Sequence, residues 1–286
     1  MRLSPIDPAE AYVKRSSAFA TPEQIADARI MLGLDRPLYE QYFNWVGDAI
    51  TGEFGISLGT GHPVTYEMGK AIPITLSVVG LLTLIMILGT LIGGTVLYLA
   101  KNNFIGKVLS VINIIGISVP AFYLGILFLN VFAVKFNFIS VTGNTGVMRF
   151  LPAALCLAIT GICFYSEMLV GSLKREMNED YANFFRYQGI PERNILLRHA
   201  LPHAMIDFIP SFMQTIGLCL AGAAIVERVF SLPGLGYLII DGVVERDAPL
   251  IHGCVLFLAL MFVLLDIISD LLQYSLQKNK QARGQL

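Results

Sequence analysis

Charged residues are scarce in this chain, and their scarcity limits its class. Aspartate, glutamate, lysine and arginine make up 14% of its 286 residues, whereas a soluble domain carries about 25%. Hydrophobic residues make up 55%, and they gather in runs that are long enough to span lipid. The formal net charge is −1, so nothing suggests nucleic acid as a partner. The composition indicates an integral membrane protein.

Two kinds of site are also missing from the sequence. No Gly-x-x-x-x-Gly-Lys-Ser/Thr phosphate loop occurs, so the chain cannot bind ATP by that device. The cysteines have no Cys-x-x-Cys spacing and predict no disulfide framework. All of them lie in apolar runs: Cys156, Cys163, Cys219 and Cys254. The first twenty residues lack the apolar core of a cleavable signal peptide.

Long apolar segments are what the sequence does contain. A bilayer core of ~30 Å needs about 20 apolar residues in a helix. Five segments meet this length: residues 72–99, 108–132, 151–170, 206–226 and 250–272. Pro120 interrupts the second, where we expect a kink rather than a break because neighbouring helices can satisfy the freed carbonyl. The pattern predicts an all-α, polytopic membrane helix bundle over residues 71–275.

The basic residues predict the orientation of this bundle. They concentrate after the first segment, in the loop after the third and in the tail 276–286, and lysine and arginine favour the cytoplasmic side. We therefore expect a cytoplasmic tail and an external region 1–70 with short helices. Because an external N-terminus without a signal peptide has no route across the membrane, we also expect a sixth span to be missing before Met1, which would then not be the true start.

Within region 1–70, two helices are predicted. Thr21 followed by Pro22 is a typical helix start, and Gly33 marks its end. We expect the apolar residues Ile25, Ile30 and Met31 to form its buried face. A second helix is expected over 38–49, closing at Thr51 and Gly52.

A charged loop, residues 174–203, separates the third and fourth segments. It predicts one helix up to residue 188, stopped by Gly189 as a C-cap, and a second over 192–200 with Pro191 in its first turn. Leu201 and Pro202 are expected to end that helix at the membrane. The first helix carries four aromatic residues: Tyr181, Phe184, Phe185 and Tyr187. The residues alone leave two interpretations open, a surface-lying amphipathic helix or a knob whose aromatics anchor it in a partner's groove.

Polar residues within the spans and at their external ends are candidates for a pore or gate. Charges near lipid usually face protein or water. Glu227 therefore has two interpretations: it forms an ion pair with Arg228 or Arg246 that braces the external loop, or it forms, with Arg228, a gate at the pore mouth that contacts substrate or the binding protein. Gln214 either lines the pore or hydrogen-bonds a neighbouring helix. Three more candidates follow at the last span: Arg246, Asp247 and His252.

Metal chemistry has little basis in the sequence. The four histidines do not form one cluster, and a stable metal site needs several ligands. No fixed metal site is predicted. His252 is either a transient metal ligand at the external mouth or an ordinary helix histidine. An intramembrane protease is conceivable only through Asp207 and Asp266, which lack a supporting motif.

Several ordered motifs resemble those of ABC importer permeases. Gly189 and Leu201-Pro202 have the spacing of the family's loop signature, although Asn183-Phe184-Phe185 stands in place of Glu-Ala-Ala and His199 in place of Ile. The chain is similar over nearly its whole length to the branch that imports peptides and nickel. The matching pieces are residues 31–42, 52–58, 117–126, 198–204, 226–236 and 246–253. The branch's usual Asp-Pro-Arg ending is absent.

The resemblance implies a type I importer permease of the bacterial inner membrane, without enzyme activity of its own. It implies a second permease, two ATPases that bind ATP and magnesium, and an external binding protein. The charged loop would contact the ATPase through Tyr181, Phe184, Phe185, Gly189, Pro191, Leu201 and Pro202. Residues 4–35 resemble the nickel-type permeases, so we expect nickel or a nickel–chelator complex as substrate. The alternative is import of di- or oligopeptides by the same machinery.

Overall fold

A computed structural model of the chain describes residues 7–16, 20–135, 146–206 and 208–283. Within these ranges the only β contact is an isolated bridge between Ile56 and Pro63. The α-helices are α1 Pro8–Ser16, α2 Pro22–Met31, α3 Leu38–Ile50, α4 Val64–Ala100, α5 Phe104–Ser118, α6 Ala121–Phe128, α7 Leu151–Glu176, α8 Asp180–Tyr187, α9 Glu192–Ile195, α10 Leu201–Ile206, α11 Ile209–Val229, α12 Leu235–Glu245 and α13 Ala248–Arg283. Two π-helical segments, Leu129–Lys135 and Leu196–Ala200, and a 3-10 turn, Gly146–Arg149, complete the element order.

The chain divides into two compact units. The first unit comprises residues Met1–Ile74 and Pro233–Leu258, and the second comprises Thr75–Leu232 and Ala259–Leu286. The long helices α4 and α13 each contribute one end to the first unit.

In the first unit, the predicted helix starts and ends are confirmed. Thr21 forms a capping box with Gln24 at the start of α2, and Gly52 follows the end of α3 with a φ of +86°. The predicted buried face of α2 is wrong for Ile30 and Met31, which are 67% and 72% exposed. The small residue Ala28 is buried there instead, because α2 packs closely against Ala9 and Val13 of α1.

A second core of the same unit gathers residues from elements that are far apart in the sequence. Val64 and Met68 at the start of α4 pack with Leu235 of α12 and with Leu250 and Cys254 of α13. The N-terminal ends of α4 and α13 are thereby held together by buried side chains.

Four helices are long and apolar enough to cross a membrane, α4, α7, α11 and residues Ala248–Ser275 of α13, and a bent pair makes up to five. Each predicted segment overlaps one of these. The segment predicted at 72–99 lies inside α4, which begins earlier, at Val64. The fold class predicted from composition is confirmed.

The expectation of a mere kink at Pro120 is wrong. Helix α5 and the second half of this segment, Ala121–Val131, meet at 101°. Val119 adopts an extended conformation, with φ −93° and ψ 123°, as expected for a residue that precedes proline. The 15 residues of α5 reach roughly 22 Å at 1.5 Å per residue, which is less than the bilayer core. Pro120 therefore breaks the segment and redirects the chain.

Glycines bring α4 and α7 into close contact in the second unit. Gly89 and Gly93 repeat at the four-residue spacing that lets helix backbones approach in membranes, and they face Ile162 and Ser166 of α7. A Cβ on Gly94 would lie 2.7 Å from Cδ2 and 2.9 Å from Cβ of Leu169. These glycines therefore set the distance between the two helices.

We predict that Gly94→Val lowers stability by about 1–3 kcal/mol, because an overpacked helix contact forces its neighbours apart. Gly80→Val is the matched control, since Gly80 lies in the same helix with nothing within 4 Å of an added Cβ. Thermal unfolding of the purified chain in detergent measures the difference. Equal midpoints for the two variants would contradict the contact.

Candidate functional site

The charged loop consists of three short helices after α7. Its first predicted helix is interrupted: α7 ends at Glu176, and α8 begins at Asp180 after Glu179, whose ψ of 157° is extended. The chain therefore turns between α7 and α8, and the aromatic residues of α8 stand on a separate helix.

Gly189 ends α8, as predicted. Its φ of +76° is in the left-handed region, where glycine is favoured. A Cβ at this position would meet nothing within 4 Å, so backbone conformation and not crowding is the reason for a glycine here. The Gly189 N–H donates to the Arg186 carbonyl at 2.9 Å, and the Ile190 N–H donates to the Phe185 carbonyl at 3.0 Å. This pair of bonds is a Schellman motif.

The expectation that Leu201 and Pro202 end a helix is wrong. Helical backbone continues from the π-helical segment Leu196–Ala200 into α10, and the Leu201 N–H donates five residues back, to the Leu196 carbonyl. A π-turn widens the helix, and we infer that this accommodates a proline that has no N–H. Pro191 also differs slightly from the prediction, because it precedes α9 as its N-cap residue.

Arg186 joins three parts of the charged loop. Its Nε donates to Glu192 Oε1 at 2.5 Å, its Nη1 to Asn183 Oδ1 at 2.8 Å and its Nη2 to the Met177 carbonyl at 2.9 Å. The hydrogen bond to Glu192 raises the pKa of Arg186. One guanidinium thereby fixes α8 against the end of α7 and the start of α9.

A second link is formed at Glu176, which is almost buried. The Tyr181 hydroxyl donates to its Oε2 at 2.8 Å, and His203 Nδ1 lies 3.5 Å from the same oxygen. Burial, together with the hydrogen bond to Glu176, raises the pKa of Tyr181. The rings of Tyr181 and His203 pack edge-on at 5.4 Å. Helices α7, α8 and α10 therefore meet in one polar contact.

The aromatic residues of α8 divide into two pairs. Phe184 is 58% exposed and Tyr187 is 90% exposed. Tyr181 and Phe185 are half-buried, and the Phe185 ring lies 4.3 Å from that of His199. Only Phe184 and Tyr187 are thus available as external anchors.

At the end of α11, Glu227 is fully buried. Its Oε1 accepts a hydrogen bond from Thr75 Oγ1 at 2.6 Å, a partner that the sequence did not suggest. Its carbonyl accepts the Leu232 N–H at 2.8 Å, across Ser231, whose φ is +51°. Arg228, the next residue, is exposed. Gln214, earlier on α11, is also exposed.

Asp247 is fully buried in the first unit. Its Oδ2 accepts from Ser57 Oγ at 2.5 Å and from the Gly59 N–H at 3.0 Å, and its Oδ1 accepts from the Leu250 N–H at 3.1 Å. The last bond makes it the N-cap of α13. The sequence contains a signal for this role, because an aspartate followed by Ala248 and Pro249 is a typical helix start.

The neighbours of Asp247 are more accessible. Arg246 is exposed in a left-handed conformation, with φ +57°. His252 is exposed, and its ring packs edge-on against Trp45 at 5.5 Å. No group of three or more potential metal ligands occurs in the part of the chain that the structure describes, and Asp207 lies outside that part.

A cavity of about 410 Å³ lies beside the break at Pro120, between α7, α11 and the two bent halves. The Tyr165 hydroxyl donates to the Ser211 carbonyl at 2.5 Å and contacts Thr215 Oγ1 at 2.6 Å. Thr160 Oγ1 is buried at this cavity without a hydrogen-bond partner among the described residues. Apart from the proline inside an apolar run, the sequence pattern does not single out Tyr165, Thr215 or Thr160.

Comparison with known proteins identifies the family. The model for binding-protein-dependent transport system inner membrane components matches residues 85–281. The chain belongs to this family. It is a permease subunit of an ABC importer. The permease is 30% identical over 259 residues to glutathione transport system permease protein GsiC of Escherichia coli (strain K12) and of Shigella boydii serotype 4 (strain Sb227), with 88% of this chain and 84% of each relative covered.

Solved structures support the same fold. An inward-facing MetNI methionine ABC transporter is 17% identical to the permease, with a TM-score of 0.62 over 74% of this chain and 96% of that one. An amino acid ABC transporter with histidines is also 17% identical, with a TM-score of 0.57 over 74% and 94% of the two chains. The helical arrangement is therefore shared with importer permeases.

We predict that Tyr181→Phe destabilises the permease by about 1 kcal/mol, because the nearly buried Glu176 carboxylate loses its hydroxyl donor. Tyr187→Phe, on the same helix but exposed, should leave stability unchanged within about 0.5 kcal/mol. Thermal unfolding in detergent tests both variants. If Tyr181→Phe is as stable as Tyr187→Phe, the Glu176 contact does not support the loop.

Proposed function

We propose that this permease imports small peptides, with glutathione-like tripeptides as the first class to test. The observation that carries the proposal is the 30% identity to the glutathione permease GsiC over 88% of this chain. The relatives named above are glutathione permeases, so they support the peptide alternative rather than the nickel interpretation based on residues 4–35. Residues 4–6 and 17–19 of that stretch lie outside the described part. Peptide import is therefore favoured over nickel import.

We propose further that the charged loop docks on a partner ATPase, which binds ATP and magnesium. The loop and the tail 276–286 then lie on the cytoplasmic side. Phe184 and Tyr187 would enter a groove of the ATPase, as exposed aromatics do at interfaces. A movement of α8 would be transmitted to the end of α7 by the hydrogen bond from Arg186 to the Met177 carbonyl. It would be transmitted to α10 by the contact of Glu176 with Tyr181 and His203. ATPase closure could thus tilt the spans between two states.

The substrate path is proposed to pass the cavity beside Pro120. Peptides carry many hydrogen-bonding groups, and Thr160 offers a buried hydroxyl that has no other described partner. Among the residues expected at a pore or external gate, Gln214, Arg228, Arg246 and His252 are exposed and keep that assignment. The carboxylates of Glu227 and Asp247 are buried and hydrogen-bonded, so we assign them to support of the helix ends.

We predict that Phe184→Ser combined with Tyr187→Ser weakens ATPase association by about 2 kcal/mol, or roughly 30-fold, because two interface anchors are lost. Co-purification of the ATPase with the permease from native membranes measures association, and thermal unfolding checks that the variant is folded. Tyr39→Ser, at an exposed aromatic of α3, is the control for a general loss of surface aromatics. Undiminished co-purification of the double variant would disprove docking through this pair.

The substrate proposal predicts that uptake of labelled glutathione depends on this gene and falls when small peptides are in excess. Uptake of radioactive nickel should be the same with and without the gene. The Phe184→Ser and Tyr187→Ser double variant, expressed in place of the native chain, is the control for label that only binds at the cell surface, because it should not transport. Gene-dependent nickel uptake that peptides do not affect would reverse the choice and restore the nickel interpretation.

A further inference from the structure

A second cavity, of about 340 Å³, lies between the end of α4, the start of α5 and α7. Three lysines line it: Lys101, Lys107 and Lys174. They come from three different parts of the chain, the α4–α5 link, α5 and the last turn of α7. Ser110 and Glu167 are the other polar residues of the lining. The fold therefore brings cations that are distant in the sequence to one concave site.

The positive charge of this cavity is only partly compensated. Three ammonium groups share the lining with a single carboxylate, and Glu167 Oε1 already accepts a hydrogen bond from Asn113 Nδ2 at 3.2 Å. Burial lowers the pKa of Lys101, and the nearby charge of Lys174 lowers it further. Lys101 Nζ also lies 4.1 Å from the centre of the Tyr98 ring. An anion that entered the cavity would relieve this repulsion.

Exposed apolar residues stand beside two of the lining lysines in the sequence, Lys101 and Lys107. Leu99 at the end of α4 and Phe104, Ile105 and Val108 at the start of α5 are exposed. These two lysines therefore lie in a segment with apolar side chains on its surface. A ligand with an anionic head and an apolar tail would satisfy both features, whereas a free inorganic anion would use only the lysines.

We propose that this cavity binds the phosphate of an anionic phospholipid, with the lysines around the phosphate and the acyl chains along α5. Lysine is a common phosphate ligand that acts as a point charge, and basic pockets between membrane helices bind lipid headgroups on the cytoplasmic side. Ser110 supplies a hydroxyl that can donate to a phosphate oxygen. The site is independent of the transported substrate.

The test uses the full-length permease in nanodiscs, with phosphatidylglycerol as the probe and phosphatidylcholine as the neutral comparison. Native mass spectrometry after release measures the retained lipid. We expect retention of phosphatidylglycerol over phosphatidylcholine, and about a fivefold loss of this preference for each of Lys101→Gln and Lys174→Gln. Lys135→Gln, at an exposed lysine outside the lining, should retain the preference.

A third lysine variant and a competition with inorganic phosphate complete the test. Lys107→Gln changes an exposed lysine of the lining, so its preference should fall even if Lys101→Gln fails to fold. Millimolar inorganic phosphate distinguishes the two sources of the phosphate group, and it should not displace the lipid. Equal retention of the two lipids, an unchanged preference in all three variants, or displacement by inorganic phosphate would each overturn the lipid site.

Discussion

The last carbonyl groups of a helix have no partner within its own ladder, so every helix end needs hydrogen bonds from the turn that follows, from side chains or from water. Five helix ends in the described part of this permease, those of α2, α3, α8, α11 and α12, use the same solution. A residue with a positive φ follows the helix, and its N–H and that of the next residue donate to carbonyls of the last turn. Gly189 does so without strain, whereas Ser231 and Arg246 adopt positive φ with a side chain present, at a cost of about 1–2 kcal/mol each. The turns that follow α8, α11 and α12 all depend on this device.

Two buried carboxylates reinforce these turns. Glu227 accepts a hydrogen bond from the hydroxyl of Thr75, and Asp247 accepts one from the hydroxyl of Ser57. Each bond joins residues more than 150 positions apart in the sequence. A buried carboxylate without such donors would be strongly unfavourable. Two of the residues that the sequence offers as gate candidates are thus buried and hydrogen-bonded at helix ends.

The charged loop combines internal fixation with a small exposed contact surface. Arg186 and the Glu176 contact bind its helices to α7 and α10, while Phe184 and Tyr187 remain exposed. A loop that was itself mobile would absorb a movement of its partner. Under the proposed docking on an ATPase, the observed contacts would instead transmit that movement to the spans.

The sequence by itself determined the membrane class, the positions of the long helices, the capping box at Thr21 and the end of α8 at Gly189. These features depend on composition, local periodicity and backbone conformation, which neighbouring residues decide. The tertiary structure alone decided the break at Pro120, the continued helix through Pro202 and the partners of Glu227 and Asp247. Whether a proline bends or breaks a helix, and which donor reaches a carboxylate, depends on packing between residues that are distant in the sequence.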